Sequence, residues 1–314
     1  MTEEQPLHIP LSFDDAIKLA IDEQVPPKTF IDIREGDCRE KLRELDDCSV
    51  HLVLTDPPYY LDGLDTEWKK GQTDIKRTGS IGGLPVGMKF DPKQGKDLQK
   101  FLEPMAKELL RVLVPGGFFI SFSQPRLFHR MAMAAENAGF EIRDMFAWHY
   151  TKQAQFKAFS MAHFVEKMDI PKKEKNAMLR ELQGRKTPQL RPQFETLMLA
   201  EKPREGTFVE NWLKYKAGLI DATKSLDDAA PTTLMTVEKP IKEVFNTHLT
   251  VKPVRLLMHL IELFTIKGQV VIDPFLGSGT TAIAAIQTNR SCIGIEINPK
   301  YIVISEKRIK EVNK

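Results

Sequence analysis

From Phe30 onward, short apolar runs alternate with amphipathic stretches. TFIDI is followed by REKLRELDD and then by SVHLVLT, which leads into Asp56, and this spacing predicts strand, helix, strand. Periodicity fails between Tyr60 and about Gln94, a stretch carrying Gly63, Gly71, Gly79, Gly82, Gly83 and Gly87. A glycine-rich loop of that length in a compact domain is usually functional or mobile. Order resumes with an amphipathic helix over DLQKFLEPMAKELLRVL, a PGG turn at Pro115 to Gly117, a buried strand FFISF, a helix over PRLFHRMAMAAENAG and a strand EIRDMFAWHY. Between Thr151 and about Asn246 the pattern weakens into charged, proline-punctuated sequence with one strand-like run, FETLMLAEK. A helix over Pro253 to Thr265, strand QVVID, helix TTAIAAIQTN, strand SCIGIEI and a last helix from Pro299 complete the chain. The alternation predicts a parallel α/β sheet. Residues 1–150 and 246–314 read as one domain, with 151–245 inserted as a subdomain.

With 314 residues and 42% apolar content, the chain can bury a full core, so disorder is not the expectation. Its apolar runs are far shorter than the ~20 residues of a membrane span. The N-terminus, MTEEQPLHIP, is acidic and lacks a secretory layout, so a cytoplasmic location and no membrane partner are expected. Cys38, Cys48 and Cys292 form no CxxC pair and no cluster with histidine, which argues against a disulfide framework and a zinc site. Net charge is only +2, but residues 151–216 hold fourteen Lys and Arg against eight acids, a local surplus of six. The aromatics Phe156, Phe159, Phe164 and Trp212 are interleaved with those charges. Such a segment can neutralise phosphates and wedge beside an extruded base; alternatively it is a solvated subdomain with its own small core.

Two motifs carry chemistry. DPFLGSGTT, Asp273 to Thr281, follows an apolar strand and opens a helix. Gly277 and Gly279 allow a sharp turn close to a ligand, and a helix N-terminus offers amide donors. The loop is neither a P-loop nor the full dinucleotide fingerprint. Glu296 stands 23 residues after Asp273 at the end of the next strand, where an acid can grip ribose hydroxyls. TDPPY, Thr55 to Tyr59, also ends a strand. An exocyclic amino group of adenine or cytosine is a poor nucleophile because its lone pair is delocalised into the ring. The Asp56 carboxylate and the Pro57 carbonyl could each accept one amino hydrogen and turn the lone pair outward. Pro57 and Pro58 stiffen the loop, and Tyr59 offers a face for a flipped base to stack on. Taken singly, each motif is also compatible with a plain turn after a strand.

Together they resemble the amino-methyltransferases of DNA, in which D/N/S-PP-Y/F is the catalytic motif and DPFxGSGTT the cofactor motif. The catalytic motif comes first by more than 200 residues, as in the permuted beta class, whose target recognition region lies between the two. GDC at Gly36 to Cys38 resembles the segment whose acid, here Asp37, lies near the cofactor's adenine. THLTVKP, Thr247 to Pro253, resembles the HPTxKP stretch near the methionine moiety, although Leu249 replaces its proline. The resemblance implies a Rossmann-like S-adenosylmethionine-dependent methyltransferase fold with an inserted target recognition subdomain at 151–245. It implies base flipping in double-stranded DNA, with Asp56, Pro57, Pro58 and Tyr59 as the catalytic set. S-adenosylmethionine would be held by Asp37, His248, Thr250, Lys252, Asp273, Pro274, Phe275, Gly277, Ser278, Gly279, Thr280 and Glu296. No metal is required by this chemistry. Aspartate before the double proline favours adenine N6 over cytosine N4, where serine is commoner. RNA and protein relatives place the cofactor loop first, and no cysteine lies in the PC context of carbon-5 enzymes. The resemblance also implies a homodimer, and any restriction activity would belong to a separate cognate endonuclease.

Overall fold

A computed structural model describes residues 28–58, 80–81, 84–85, 92–150, 158–188, 190–226, 230–240 and 251–312. The strands are β1 (Ile31–Glu35), β2 (Val50–Thr55), β3 (Ser80–Ile81), β4 (Leu84–Pro85), β5 (Leu113–Ser123), β6 (Glu141–His149), β7 (Phe194–Glu201), β8 (Leu234–Thr236), β9 (Val270–Asp273) and β10 (Ser291–Glu296). The helices are α1 (Cys38–Lys41), α2 (Pro92–Val112), α3 (Phe128–Ala138), α4 (Met161–Val165), α5 (Lys172–Glu181), α6 (Phe208–Tyr215), α7 (Val254–Phe264), α8 (Thr280–Gln287) and α9 (Pro299–Val312). Eight strands form one sheet in the order β1-β10-β9-β2-β5-β7-β6-β8, and β3 pairs with β4 separately. The five strands from β1 to β5 in that order are parallel, whereas β7 runs antiparallel to both β5 and β6. The architecture is the expected α/β one with a mixed sheet.

Side-chain alternation sorts the core into two layers. Leu52, Leu54, Phe118, Ile120, Leu197 and Leu199 face α7 and α8, packing with Leu256, Leu260, Phe264 and Ile283. Val53, Phe119, Met198 and Ile272 face the opposite side, against Leu98, Met105 and Leu109 of α2 and Met131 of α3. Every residue of β5 and β10 is buried, as suits strands covered on both faces.

Two readings of the sequence change. The PGG tripeptide is no free turn: β5 runs through it, pairing Val50 with Leu113 and then, across a register shift, Leu52 with Phe118. Gly116 takes φ of +77°, and a Cβ on Gly117 would lie 2.9 Å from the Val114 carbonyl oxygen and 3.1 Å from that of His51, so the bulge needs glycine. The second concerns 151–245. FETLMLAE is β7, inserted between β5 and β6, and β8 closes the sheet's edge, so parts of that segment belong to the central sheet. Its apolar residues Leu197 to Ala200 cover both layers of the core, which is why the run is continuously hydrophobic. The stretch that leaves the sheet between β6 and β7 includes α4 and α5, and α5 buries no residue.

The chain diverges between β9 and β2. From β9 it crosses through α8 to β10 on one side, and from β2 through α2 to β5 on the other, so a crevice opens at their carboxyl ends. There the Thr55 hydroxyl donates to Asp273 Oδ1 at 2.6 Å, Thr281 donates to Oδ2 at 2.6 Å, and the Phe275 N–H donates to Oδ1 at 3.0 Å. Burial raises Asp273 from 3.8 to about 6, against the pull of these donors. Because the folded value is the higher one, this carboxyl's contribution to stability is full below about pH 4 and is lost as pH rises through about 6. Thr55→Val removes a donor that favours the charged form, so it should cost under ~1 kcal/mol at pH 5 and about 1.5–3 kcal/mol at pH 8. Urea denaturation at the two pH values checks this.

Candidate active site

The carboxyl edge of the parallel strands gathers the acids and loops that the sequence singles out. Asp273 ends β9, and its three donors fix the first turn of DPFLGSGTT. Pro274 is buried and Phe275 half-buried, its ring 6.0 Å from that of Phe101. Gly277 and Gly279 take φ of +54° and +83°, values that L side chains resist. Gly279 is the N-cap of α8 and supplies no side-chain cap, while Arg308 from α9 donates to the Ser278 carbonyl at 2.7 Å and the Thr280 hydroxyl at 3.1 Å. The loop is therefore braced from behind by an arginine to which the sequence reading assigns no role.

Glu296 ends β10 beside this loop. Its Oε2 accepts the Gly277 N–H and its Oε1 the Asn298 N–H, both at 2.8 Å. Burial pushes its carboxyl upward, opposed by those amides. Gly36 donates from its N–H to the Glu296 carbonyl at 3.0 Å, which brings the neighbouring Asp37 to the same corner. Asp37 caps α1 through the Arg39 N–H, and the Arg39 guanidinium, 2.5 Å away, holds its carboxyl below the usual range. Ile297 next to Glu296 is 47% exposed, an apolar surface beside a pair of carboxylates. Such a corner fits a purine nucleoside with a ribose diol: acceptors for hydroxyls and amino hydrogens, an apolar patch for the ring, and a loop whose glycines leave space for the remainder.

Asp56 follows β2 with its side chain 18% exposed; Pro57 is buried and Pro58 half-buried. Lys252, just before α7, is buried and lies 2.5 Å from Asp56 Oδ2 and 3.2 Å from Glu195 Oε2. Its ammonium also sits 4.9 Å from the centre of the Phe122 ring. Burial works against its charge, but Asp56 and Glu195 outweigh burial and hold its proton on more firmly than in free lysine. The structure thus places Lys252 on the DPPY acid. Glu195 was not legible as a site residue. Because β7 is antiparallel, its first residues lie at the edge where β5 ends, with Ser123 opposite Thr196. The reading of Tyr59, His248 and Thr250, and of the glycine-rich stretch around Trp68, falls outside the described residues, as does that of Phe156.

The remaining basic segment divides. Phe159 and Phe164 pack against each other with centroids 6.3 Å apart in the excursion between β6 and β7, whereas Trp212 belongs to α6, which packs on β5. No helix of the described residues is long and apolar enough to cross a membrane.

A family model described as DNA methylase matches residues 50–307. The Type II methyltransferase M.HindIII of Haemophilus influenzae is 28% identical over 297 residues, covering 88% of this chain and 94% of that protein. M.HinfI of Haemophilus influenzae is 28% identical over 283 residues, covering 89% of this chain and 68% of that protein. Among solved structures, the cytosine-N4-specific PvuII DNA methyltransferase matches with a TM-score of 0.59 at 18% identity, covering 91% of this chain and 92% of that one. TTHA0409 of Thermus thermophilus, solved in complex with S-adenosyl-L-methionine, matches with a TM-score of 0.52 at 20% identity, covering 90% of this chain and 93% of that one. The fold is that of the S-adenosylmethionine-dependent DNA methyltransferases. The chain, whose crevice between β9 and β2 sets a braced glycine loop against a DPP turn, belongs to the N6/N4 family of DNA methylases, with S-adenosylmethionine as methyl donor.

Proposed function

We propose that this chain methylates the N6 amino group of adenine at a specific sequence in double-stranded DNA, after flipping the base into the crevice beside Asp56. The observation that carries this reading is the fixed Asp56 carboxylate, held through Oδ2 by a buried lysine at the mouth of the switch point. Asp56 and the Pro57 carbonyl accept the two amino hydrogens, which redirects the nitrogen lone pair. As the new bond forms the nitrogen becomes cationic, and Asp56 is placed to take the proton it sheds. The donor supplies an electrophilic methyl group on a sulfonium. Asp273, Pro274, Phe275, Gly277, Ser278, Gly279 and Thr280, with Glu296 and Asp37, form its cradle, and His248 and Thr250 are assigned to it by resemblance. Tyr59 is assigned the stacking face on the same ground. Orientation of this kind supplies rate because the acceptors need not reorganise during reaction.

Site specificity follows the Type II relatives, and reading of the sequence is assigned to the basic excursion between β6 and β7. Homodimerisation and a separate cognate endonuclease remain part of the same proposal. Cytosine N4 is the second reading, favoured by the N4-specific neighbour, and the product decides between the two.

Incubation with S-adenosylmethionine and a mixed-sequence unmethylated duplex, followed by nucleoside mass spectrometry, should yield N6-methyladenine. N4-methylcytosine would transfer the reading to cytosine, and methyl groups on RNA or protein alone would overturn it. Asp56→Ala should lower kcat by about 10²–10³-fold or more while calorimetry shows near-normal cofactor binding; normal turnover would remove Asp56 from the mechanism. Replacing Lys172, Lys173 and Lys175 of α5 with glutamate should weaken DNA binding and flatten its salt dependence, the log–log slope falling by roughly 0.9 for each phosphate no longer neutralised. A fluorescence titration at several salt concentrations checks it.

A further inference from the structure

Glu195 is the first charged residue of β7 and the second carboxylate on Lys252. Its Oε2 is buried and lies 3.2 Å from the Lys252 ammonium, within ion-pair range, while the side chain as a whole is 23% exposed. Oε1 lies 4.0 Å from Lys239, whose ammonium covers the Tyr150 ring at 3.9 Å. A half-buried carboxylate with one oxygen kept out of water beside an ammonium is costly to hold in place. It is placed where it bears on the cation that holds Asp56 Oδ2.

We propose that Glu195 is a positioning residue for Asp56, acting through Lys252. This rests on the assignment of Asp56 as the acceptor of the amino group. A lysine side chain has a flexible four-carbon stem, and a single carboxylate does not fix it. Asp56, Glu195 and the Phe122 ring approach the ammonium from β2, β7 and β5, so it has one place to sit. Asp56 Oδ2 is consequently held in one direction, and the carboxylate cannot swing toward the glycine loop. The second carboxylate has an electrostatic effect as well. Asp56 and Lys252 alone cancel, whereas Glu195 leaves a negative balance that Lys239 offsets only from 4.0 Å away. The charged and titratable groups around Lys252, among the described residues, are Asp56, Glu195 and, beyond them, Tyr150, Lys239 and Asp273.

The test combines a titration with a pH profile on the full-length protein. In Glu195→Gln, Lys252 keeps only Asp56 against the burial that opposes its charge. Its titration, read by isotope-labelled lysine side-chain NMR and assigned with Lys252→Arg, should fall by about one unit or more. The alkaline limb of kcat should follow it downward. At neutral pH kcat should drop roughly tenfold while KM for S-adenosylmethionine and DNA changes little. Glu195→Asp should recover part of the limb. The double variant Glu195→Gln with Lys252→Arg should show no limb across the accessible range, because guanidinium does not deprotonate there. An unshifted Lys252 titration overturns the proposal, and so does a shifted titration without a matching kcat limb, or a loss confined to KM for DNA. Wild-type protein that transfers no methyl group to DNA would instead sink the assignment of Asp56, and the NMR titration tells the two failures apart.

Discussion

One short hydrogen bond joins the two halves of the site. Thr55 and Asp273 are 218 residues apart in sequence, yet their side chains meet at 2.6 Å where β2 and β9 end side by side. The contact depends on parallel pairing of the two strands, which sets Leu52 against Val271 and Val53 against Ile272. A slip of one residue would turn Asp273 toward a helix layer and leave Thr55 without its partner. The bond therefore reports register: when it forms, the loop that begins at Asp273 and the turn that begins at Asp56 face the same crevice. Its cost is a buried carboxyl, and three donors are needed to make that cost tolerable.

The rest of the carboxyl edge is organised by charge matched to burial. Glu296 accepts the Gly277 and Asn298 amide N–H groups, so this acid at the end of β10 shapes the loop beside it. Arg308 braces the same loop from α9. Across the crevice the pattern inverts, with a buried cation between two carboxylates. Backbone amides suffice where the loop itself can wrap an anion. Asp56 lies where two prolines follow and remove N–H donors, so a side chain from elsewhere has to supply the counter-charge.

Much of this was legible in the sequence, and the reason is local. The β1, β2, β9 and β10 strands and the helices α7, α8 and α9 all show their period within one window, and the acids at strand ends are marked by the glycines or prolines that follow them. What was missed depends on pairing between distant segments. PGG reads as a turn until the register shift against β2 is known. FETLMLAE reads as part of an insertion because nothing local says that it slides between two earlier strands. Glu195 carries no motif: it becomes a neighbour of Asp56 only because β7 is antiparallel and so delivers its beginning to the edge where the other strands deliver their ends. Lys252 was singled out through the resemblance of THLTVKP to HPTxKP, as a cofactor contact, because its contact with Asp56 spans 196 residues and shows only in the fold.

The same antiparallel strand explains how a basic excursion can be carried so close to the chemistry. β6 and β7 are sheet neighbours with His149 opposite Phe194, and Tyr150 donates its N–H to the Gln193 carbonyl at 3.0 Å. The described residues between those points, 158–188 and 190–192, lie outside the sheet, so the excursion spans the two adjacent ends of a wide hairpin. The entropy of closing such a loop grows only with the logarithm of its length, each doubling costing about 0.6 kcal/mol. The fold can therefore carry excursions of many lengths here without disturbing the register that Thr55 and Asp273 record. The root of the hairpin is not neutral ground, however, because Glu195 lies one residue from Phe194.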